Sequence, residues 1–343
     1  MATTQWTDQR TVTEIHRQLQ SPRAYSTPTK EVQLRETDIS WVYLTDRFAF
    51  KQKRPCRQSR IVHLSLATRQ TACRSVLTAN RRFAPEVYLD LAPVVEEKPG
   101  RFKVVRHHED AREWLVRMKR LPERGSLESL IADSQLTDDQ IARLASFLSD
   151  LYAAMPPVVM VGERYLDDLR SRIEKNQRVL EEILPSDARA VSSSTKAQLE
   201  TIDLQEDEFL ERVADGRIVD GHGDLCPEHI FLHDRKPKLI GSIEYSKKLR
   251  EIDVLDELAF LGMECDMLDA HAVGARVFQA YIEQSNDPAP AFLSHFYKCY
   301  RATSRAKACC LQWRQCTHKE WSKKAAQRYL RKSAEYAAAI AWV

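Results

Sequence analysis

The chain has 343 residues, 43% apolar and 29% charged, which is enough to bury a core of ordinary size and suggests two subdomains. Lys and Arg total 52 against 49 Asp and Glu, a net charge of +3, so the overall balance gives no reason to expect a nucleic-acid or membrane partner. No apolar run approaches the roughly 20 residues that cross a bilayer, and residues 1–23 are too polar for a secretory signal, so a cytoplasmic location is expected. Eight cysteines are scattered without paired Cys-x-x-Cys spacing; free thiols are expected, and Cys309, Cys310 and Cys316 do not form a zinc motif.

Residues 1–30 are rich in Thr, Gln and Ser with Pro22 and Pro28, which predicts a short helix at 12–20 and then a loose linker. From 31 to 53, the alternation in Val32-Gln33-Leu34 and the β-rich runs Trp41-Val42-Tyr43-Leu44 and Phe48-Ala49-Phe50 predict antiparallel strands joined by the turn Thr45-Asp46-Arg47. Residues 64–82 have helical periodicity, and 88–95, 102–105 and 114–118 read as further strands. Pro122 and Gly125 then punctuate 121–126, as suits a connection between lobes. Beyond it, 126–131, 137–154, 165–184 and 192–214 look helical, Thr137-Asp138-Asp139 giving a capping signal. Helices follow at 270–281, 290–315 and 320–342, and no internal repeat is evident.

His222-Gly223-Asp224-Leu225 lies between the apolar runs Arg217-Ile218-Val219 and Ile230-Phe231-Leu232. A loop at a strand edge places one carboxylate where it accepts a proton from a hydroxyl that attacks a γ-phosphate, which makes Asp224 the candidate base. Downstream come the strand-like run Lys238-Leu239-Ile240-Gly241-Ser242-Ile243-Glu244-Tyr245 and the acidic stretch at 253–260. For Asp256 and Glu257 the plain expectation is capping and dipole pairing at a helix start. Phe50-Lys51-Gln52-Lys53 puts two lysines on one strand face. Lys298, Arg301 and Arg305, at i, i+3 and i+7, share a helix face within a locally basic stretch.

The order of loop, strand and acidic helix start resembles the aminoglycoside phosphotransferase and choline kinase superfamily. More closely, Gly221-His222-Gly223-Asp224-Leu225-Cys226-Pro227-Glu228-His229-Ile230 is similar to the loop Gly-His-Gly-Asp-Leu-Arg-Pro-Glu-His-Ile of a largely uncharacterised branch. Colinear likeness extends over Ile39 to Leu44, Asn80 to Leu89, Arg117 to Pro122 and Tyr300 to Lys307, and spans roughly residues 35–310.

The resemblance implies an α+β, bilobal protein-kinase-like fold. The N-terminal helix and linker (1–30) would precede a five-stranded antiparallel N-lobe (31–120) and a mainly helical C-lobe (121–343) with the catalytic loop at 219–232. It implies ATP-dependent phosphoryl transfer to a small-molecule hydroxyl. Asp224 would be the base, Lys51, or else Lys53, the phosphate-binding lysine, and Met118 and Arg120 part of the hinge beside the nucleotide. Arg301 and Arg305 would line the acceptor side and favour an anionic substrate. Mg²⁺ would fall to His229 and, because Gly241 stands where similar proteins carry Asp, to Glu244 or to Asp253 or Asp256. Similar proteins also have a Glu run where this chain has Cys73-Arg74-Ser75-Val76, so the strand lysine is expected to lack its helix partner. These departures keep open the alternative of a pseudokinase that binds a nucleotide, metabolite or protein without catalysis. Nucleic-acid binding through the basic C-terminal helices is not expected, since aromatic interleaving is missing.

Overall fold

The computed structural model describes residues 9–58, 61–285, 287–315 and 320–340; Cys316 and residues 341–342 of the last predicted helix lie outside them. The chain divides into two compact units, Met1–Glu123 with Lys238–Lys247 and Arg124–Pro237 with Lys248–Val343. Among the described residues, no helix is long and apolar enough to cross a membrane.

The first unit opens with α1 (Gln9–Leu19), followed by β1 (Gln33–Glu36), β2 (Ser40–Leu44) and β3 (Phe48–Lys53). A small hairpin of β4 (Arg57–Gln58) and β5 (Ile61–Val62) leads to α2 (Leu66–Asn80), then β6 (Tyr88–Lys98), β7 (Arg101–Val104) and β8 (Glu113–Lys119). The main sheet has six strands in the order β1-β2-β3-β8-β6-β7, all neighbours antiparallel, where the resemblance implies five; β1, expected from the alternation at 32–34, pairs Gln33–Glu36 against Leu44–Trp41 at one edge. Ile15 and Leu19 of α1 pack with Tyr43, Phe50, Val94 and Leu115. The segment expected as a loose linker is instead docked: Tyr25 is buried and donates its hydroxyl to Leu19 O at 2.6 Å, and Ser26 Oγ donates to Val104 O at 2.8 Å. A buried aromatic with a satisfied hydroxyl holds this stretch down where composition alone reads as disorder. α2 starts with a reciprocal capping box between Ser65 and Thr68 and packs Cys73, Val76 and Leu77 on Val116 and Tyr88.

The second unit contains α3 (Leu127–Ala132), α4 (Asp138–Ala153), α5 (Gly162–Ile183), α6 (Ala188–Leu204), α7 (Glu206–Ala214), β9 (Ile218–Asp220) and β10 (Ile230–Phe231). After the short strand β11 (Lys238–Leu239), which belongs to the first unit, come β12 (Glu251–Asp253), α8 (Val254–Met267), α9 (His271–Ser285), α10 (Ala291–Gln315) and α11 (Glu320–Ile340). Thr137 forms the expected cap, reciprocally with Gln140. The predicted helix at 192–214 is two helices, broken at Gln205. α8 is buried on every side, with Val254–Asp266 inside, and packs Phe260 and Met263 on Cys299, Ala302 and Ala306 of α10. The strand-like run at 238–245 ends after Leu239, since Gly241 sits at φ +80°, a left-handed conformation that leaves the ladder.

Candidate active site

The loop that carries Asp224 is held from two directions within the second unit. On one side β9 and β12 pair as Asp220↔Glu251, Val219↔Ile252 and Ile218↔Asp253, and Gly221 N donates to Arg250 O at 2.7 Å. On the other, the Glu257 carboxylate of α8 accepts the backbone N–H of His222 and of Gly223, both at 2.7 Å, and the Tyr152 hydroxyl at 2.9 Å. Gly223 turns the chain at φ +83°, and Asp224 N donates to His222 Nδ1 at 3.3 Å. Asp224 is left half-buried at the surface of this frame, with its carboxylate 3.6 Å from His229 Nδ1 and 3.9 Å from Arg305 Nη1.

The basic face of α10 answers a row of buried acids on α8. Arg301 grips Asp256 through two hydrogen bonds of 2.6 and 2.7 Å and reaches Gly223 O at 3.4 Å. Arg305 Nε lies 2.9 Å from Glu264 Oε1, and Lys298 Nζ donates to Asp266 at 2.9 Å. Burial pushes the carboxyls of Asp256, Glu257 and Glu264 up, against the pull of Arg301 on the first two and of Arg305 on the third. Arg301 and Arg305 therefore do turn toward the loop, but each is matched by a carboxylate and brings little uncompensated positive charge to it. Asp256 and Glu257 lie in the first turn of α8 as expected, but the cap is Asp253, through its side chain and Leu255 N at 2.8 Å, so the capping part of the reading is corrected. A helix with apolar residues on all faces must pair any acid it carries, and the acids at 256, 257, 264 and 266 inside this run were the available signal.

In the first unit, Lys51 and Lys53 lie on β3 with their side chains on the same face. Lys53 is fully buried and ion-paired with Glu244, whose side chain is only 8% exposed. The strand lysine thus has a carboxylate partner after all, supplied by the segment after the loop rather than by α2. Cys73 of α2 is buried beside them, close enough for Lys53, Lys51 and Glu244 to act on its thiol, and donates to Trp114 O. The helix-to-sheet ion pair is present with its polarity reversed: Arg69 of α2 meets Glu113 of β8 at 2.8 Å, both fully buried. Gly241 N donates to the Tyr88 hydroxyl at 3.1 Å, and Ser242 N to Asn80 Oδ1 at 2.9 Å, which fixes the segment that delivers Glu244. Met118 pairs with Ala49 and Tyr88 inside the sheet, and Arg120 binds Thr45 O and Gln33.

Glu244 and His229 belong to different units, and each is engaged within its own, Glu244 by Lys53 and His229 by the Asp224 carbonyl at 2.8 Å. With no carboxylate at Gly241, the donor groups do not match an oxygen-lined Mg²⁺ site.

Burial would raise the Glu244 carboxyl, but Lys51 and Lys53 outweigh it and hold it at about 2, down from 4.5. A carboxyl whose folded value is depressed contributes stability above its unfolded value and loses it as pH falls toward the folded one, here from 4.5 to about 2, and the shift corresponds to about 3 kcal/mol. The stability gap between the unaltered protein and Glu244→Gln is therefore expected to close across that window. Urea midpoints of both proteins measured at pH 6, 4 and 3 check this, and a gap that does not change with pH would show that Glu244 is not held ionised.

No known family model matches the chain. An uncharacterised protein of Mycobacterium tuberculosis and one of Mycobacterium bovis are each 29% identical to it over 290 residues, 83% of this chain and 56% of theirs, so the chain spans little more than half the length of these curated relatives. Among solved structures, a choline/ethanolamine kinase family protein from Mesorhizobium loti superposes with a TM-score of 0.55 at 13% identity, over 95% of this chain and 94% of that one. The choline kinase LicA from Streptococcus pneumoniae gives 0.51 at 14%, over 90% and 94%, and a thermostable mutant of the aminoglycoside phosphotransferase APH(4)-Ia gives 0.51 at 11%, over 90% and 96%. An antiparallel sheet unit followed by a mainly helical unit, matched over these lengths, gives the chain the protein-kinase-like fold that choline kinases and aminoglycoside phosphotransferases share.

Proposed function

We propose that the chain is a nucleotide-dependent phosphotransferase for a small-molecule hydroxyl, with Asp224 as the base and Lys53 as the phosphate-binding lysine. The observation that carries this reading is the buried Lys53–Glu244 pair, which restores an oriented strand lysine in a chain whose helix has lost the usual acid. A nucleoside triphosphate such as ATP would supply the transferred phosphoryl group. Lys53, positioned by Glu244, attracts phosphate oxygens, and Lys51 on the same strand face adds to the field. Asp224 takes the hydroxyl proton, Glu257 fixes the loop that carries it, and Arg301 closes the loop from the α10 side. The neutralised arginine pairs favour no particular charge on the acceptor.

Gly241 favours a second reading, a nucleotide-binding protein without turnover, because no carboxylate stands there to hold a metal against the phosphates. One experiment addresses both. Millimolar ATP, with and without Mg²⁺ or Mn²⁺, is expected to raise the melting temperature and give heat on titration, and Lys53→Met to abolish both signals; no response in the unaltered protein sinks the nucleotide reading. Coupled ATPase assays on the same samples separate turnover from binding. Gly241→Asp is expected to raise metal-dependent turnover, set against a backbone strain of about 1–2 kcal/mol at its positive φ. Strong turnover in the unaltered protein with no gain from this change would remove the second reading.

A further inference from the structure

Three side chains of the Asp224 loop converge on one point. Cys226 Sγ lies 3.1 Å from His229 Nδ1, which lies 3.6 Å from Asp224 Oδ2, and the donor atoms of all three residues are within 4.8 Å of one another. The backbone imposes this closeness: Cys226 N donates to Asp224 O at 3.0 Å, His229 N donates to Cys226 O at 2.9 Å, and the 3₁₀ turn Pro227–His229 brings positions three apart onto one side. A fourth donor, Glu228 Oε1, stands 3.7 Å from the thiol.

The mixture of donors selects the ion. Tetrahedral zinc binds thiolate at about 2.3 Å, imidazole at about 2.0 Å and carboxylate at about 2.0–2.2 Å, which requires donor atoms roughly 3–4 Å apart. The Cys226–His229 and His229–Asp224 separations, 3.1 and 3.6 Å, fall in that range, and Asp224 to Cys226 lies within 4.8 Å. Mg²⁺ requires an octahedron of oxygens and has no use for a thiol. Three protein donors with a carboxylate or water as the fourth is a common composition for a borderline cation.

We propose that Asp224, Cys226 and His229 form a binding site for a thiophilic divalent cation of the Zn²⁺ class, and that its occupation withdraws Asp224 from proton acceptance. On binding, the thiol proton leaves to solvent, and the Nδ1 proton that His229 donates to the Asp224 carbonyl moves to Nε2, freeing the Nδ1 lone pair for the metal. Arg305, 3.9 Å from Asp224, does not block the ion, because Glu264 balances its charge. The inhibitory consequence rests on the role of Asp224 proposed above; the binding does not, and it is read on nucleotide-free protein.

The probe is Co²⁺ alone, titrated into the full chain under reducing conditions and followed by absorption. One equivalent is expected to give a thiolate-to-cobalt charge-transfer band in the near ultraviolet and strong visible bands of tetrahedral coordination, both erased when Zn²⁺ displaces Co²⁺. Cys226→Ser is expected to remove the charge-transfer band, Cys309→Ser to leave it, and His229→Gln to weaken binding at least tenfold. No charge-transfer band in the unaltered protein, or one that survives Cys226→Ser, overturns the proposal. Should Cys226→Ser fail to fold, since the thiol is buried, the partly exposed His229 decides: unchanged Co²⁺ affinity in His229→Gln overturns it equally. If the site holds but ATP turnover is absent at every metal concentration, the phosphotransferase reading fails and the metal site stands.

Discussion

Asp224→Asn is expected to lower phosphoryl transfer by about 10²–10⁴-fold, the usual contribution of a positioned base, while leaving the melting temperature close to that of the unaltered protein. The loop does not depend on the Asp224 side chain for its shape. Its backbone is fixed by Glu257 through His222 N and Gly223 N, and by Arg250 O through Gly221 N. The nearest cation, Arg305 at 3.9 Å, is already matched by Glu264, so removing one carboxylate charge leaves no orphaned ion. An amide of the same size keeps the packing and loses only proton affinity. Glu257→Gln is the informative contrast, because one of the two N–H groups would then face an amide nitrogen, and both activity and stability should fall. Parallel turnover and melting measurements on the two variants check the pair; equal turnover in Asp224→Asn and the unaltered protein would remove Asp224 from the chemistry.

Arg212→Leu is expected to destabilise the second unit by about 3–5 kcal/mol, the largest stability effect of a single change foreseen here. The guanidinium of Arg212 on α7 is buried, and it binds both Asp253 and Asp287, with Nη2 to Asp253 Oδ1 at 2.7 Å and Nη1 to Asp287 Oδ1 at 2.9 Å. Its removal leaves two buried carboxylates without their shared guanidinium, Asp253 supported by the Tyr297 hydroxyl and Leu255 N and Asp287 by the Tyr281 hydroxyl and Arg217 at 3.8 Å. Asp253 also ends β12 and caps α8, so the loss reaches the frame of the Asp224 loop. Urea denaturation measures the loss, and Asp287→Asn added to Arg212→Leu should recover part of it by removing one stranded charge. A midpoint unmoved by Arg212→Leu would show that the network is hydrated.

What the sequence disclosed about this molecule was local. The Gly221–Ile230 loop is a contiguous pattern, and the strands with the turn Thr45-Asp46-Arg47 follow from alternation over a few residues. The partner of Lys53 was not legible, because Glu244 is 191 residues away and an acid in an irregular segment carries no sign of what it meets. Glu257 and Asp256 read as ordinary helix-start acids because the usual statistics of that position outweighed a contrary cue, the apolar character of the whole helix around them. The stripe Lys298-Arg301-Arg305 was visible as a face, but its match to Asp266, Asp256 and Glu264 depends on how α8 and α10 pack. In the sequence Cys226 is one letter of the loop pattern, because a single cysteine has meaning only once the 3₁₀ turn brings His229 against it.

The return of Lys238–Lys247 to the first unit sets the order in which a growing chain becomes complete. At a synthesis rate of roughly 5–20 residues per second, the sheet emerges from the ribosome on the order of ten seconds before the segment that neutralises Lys53 and bonds Asn80 and the Tyr88 hydroxyl. During that interval a lysine destined for full burial has no counter-charge, so the nascent sheet must leave this end open to water. The helical unit is therefore begun before the sheet unit is finished, and ribosomal pausing within residues 124–247 bears on the folding of residues translated long before it.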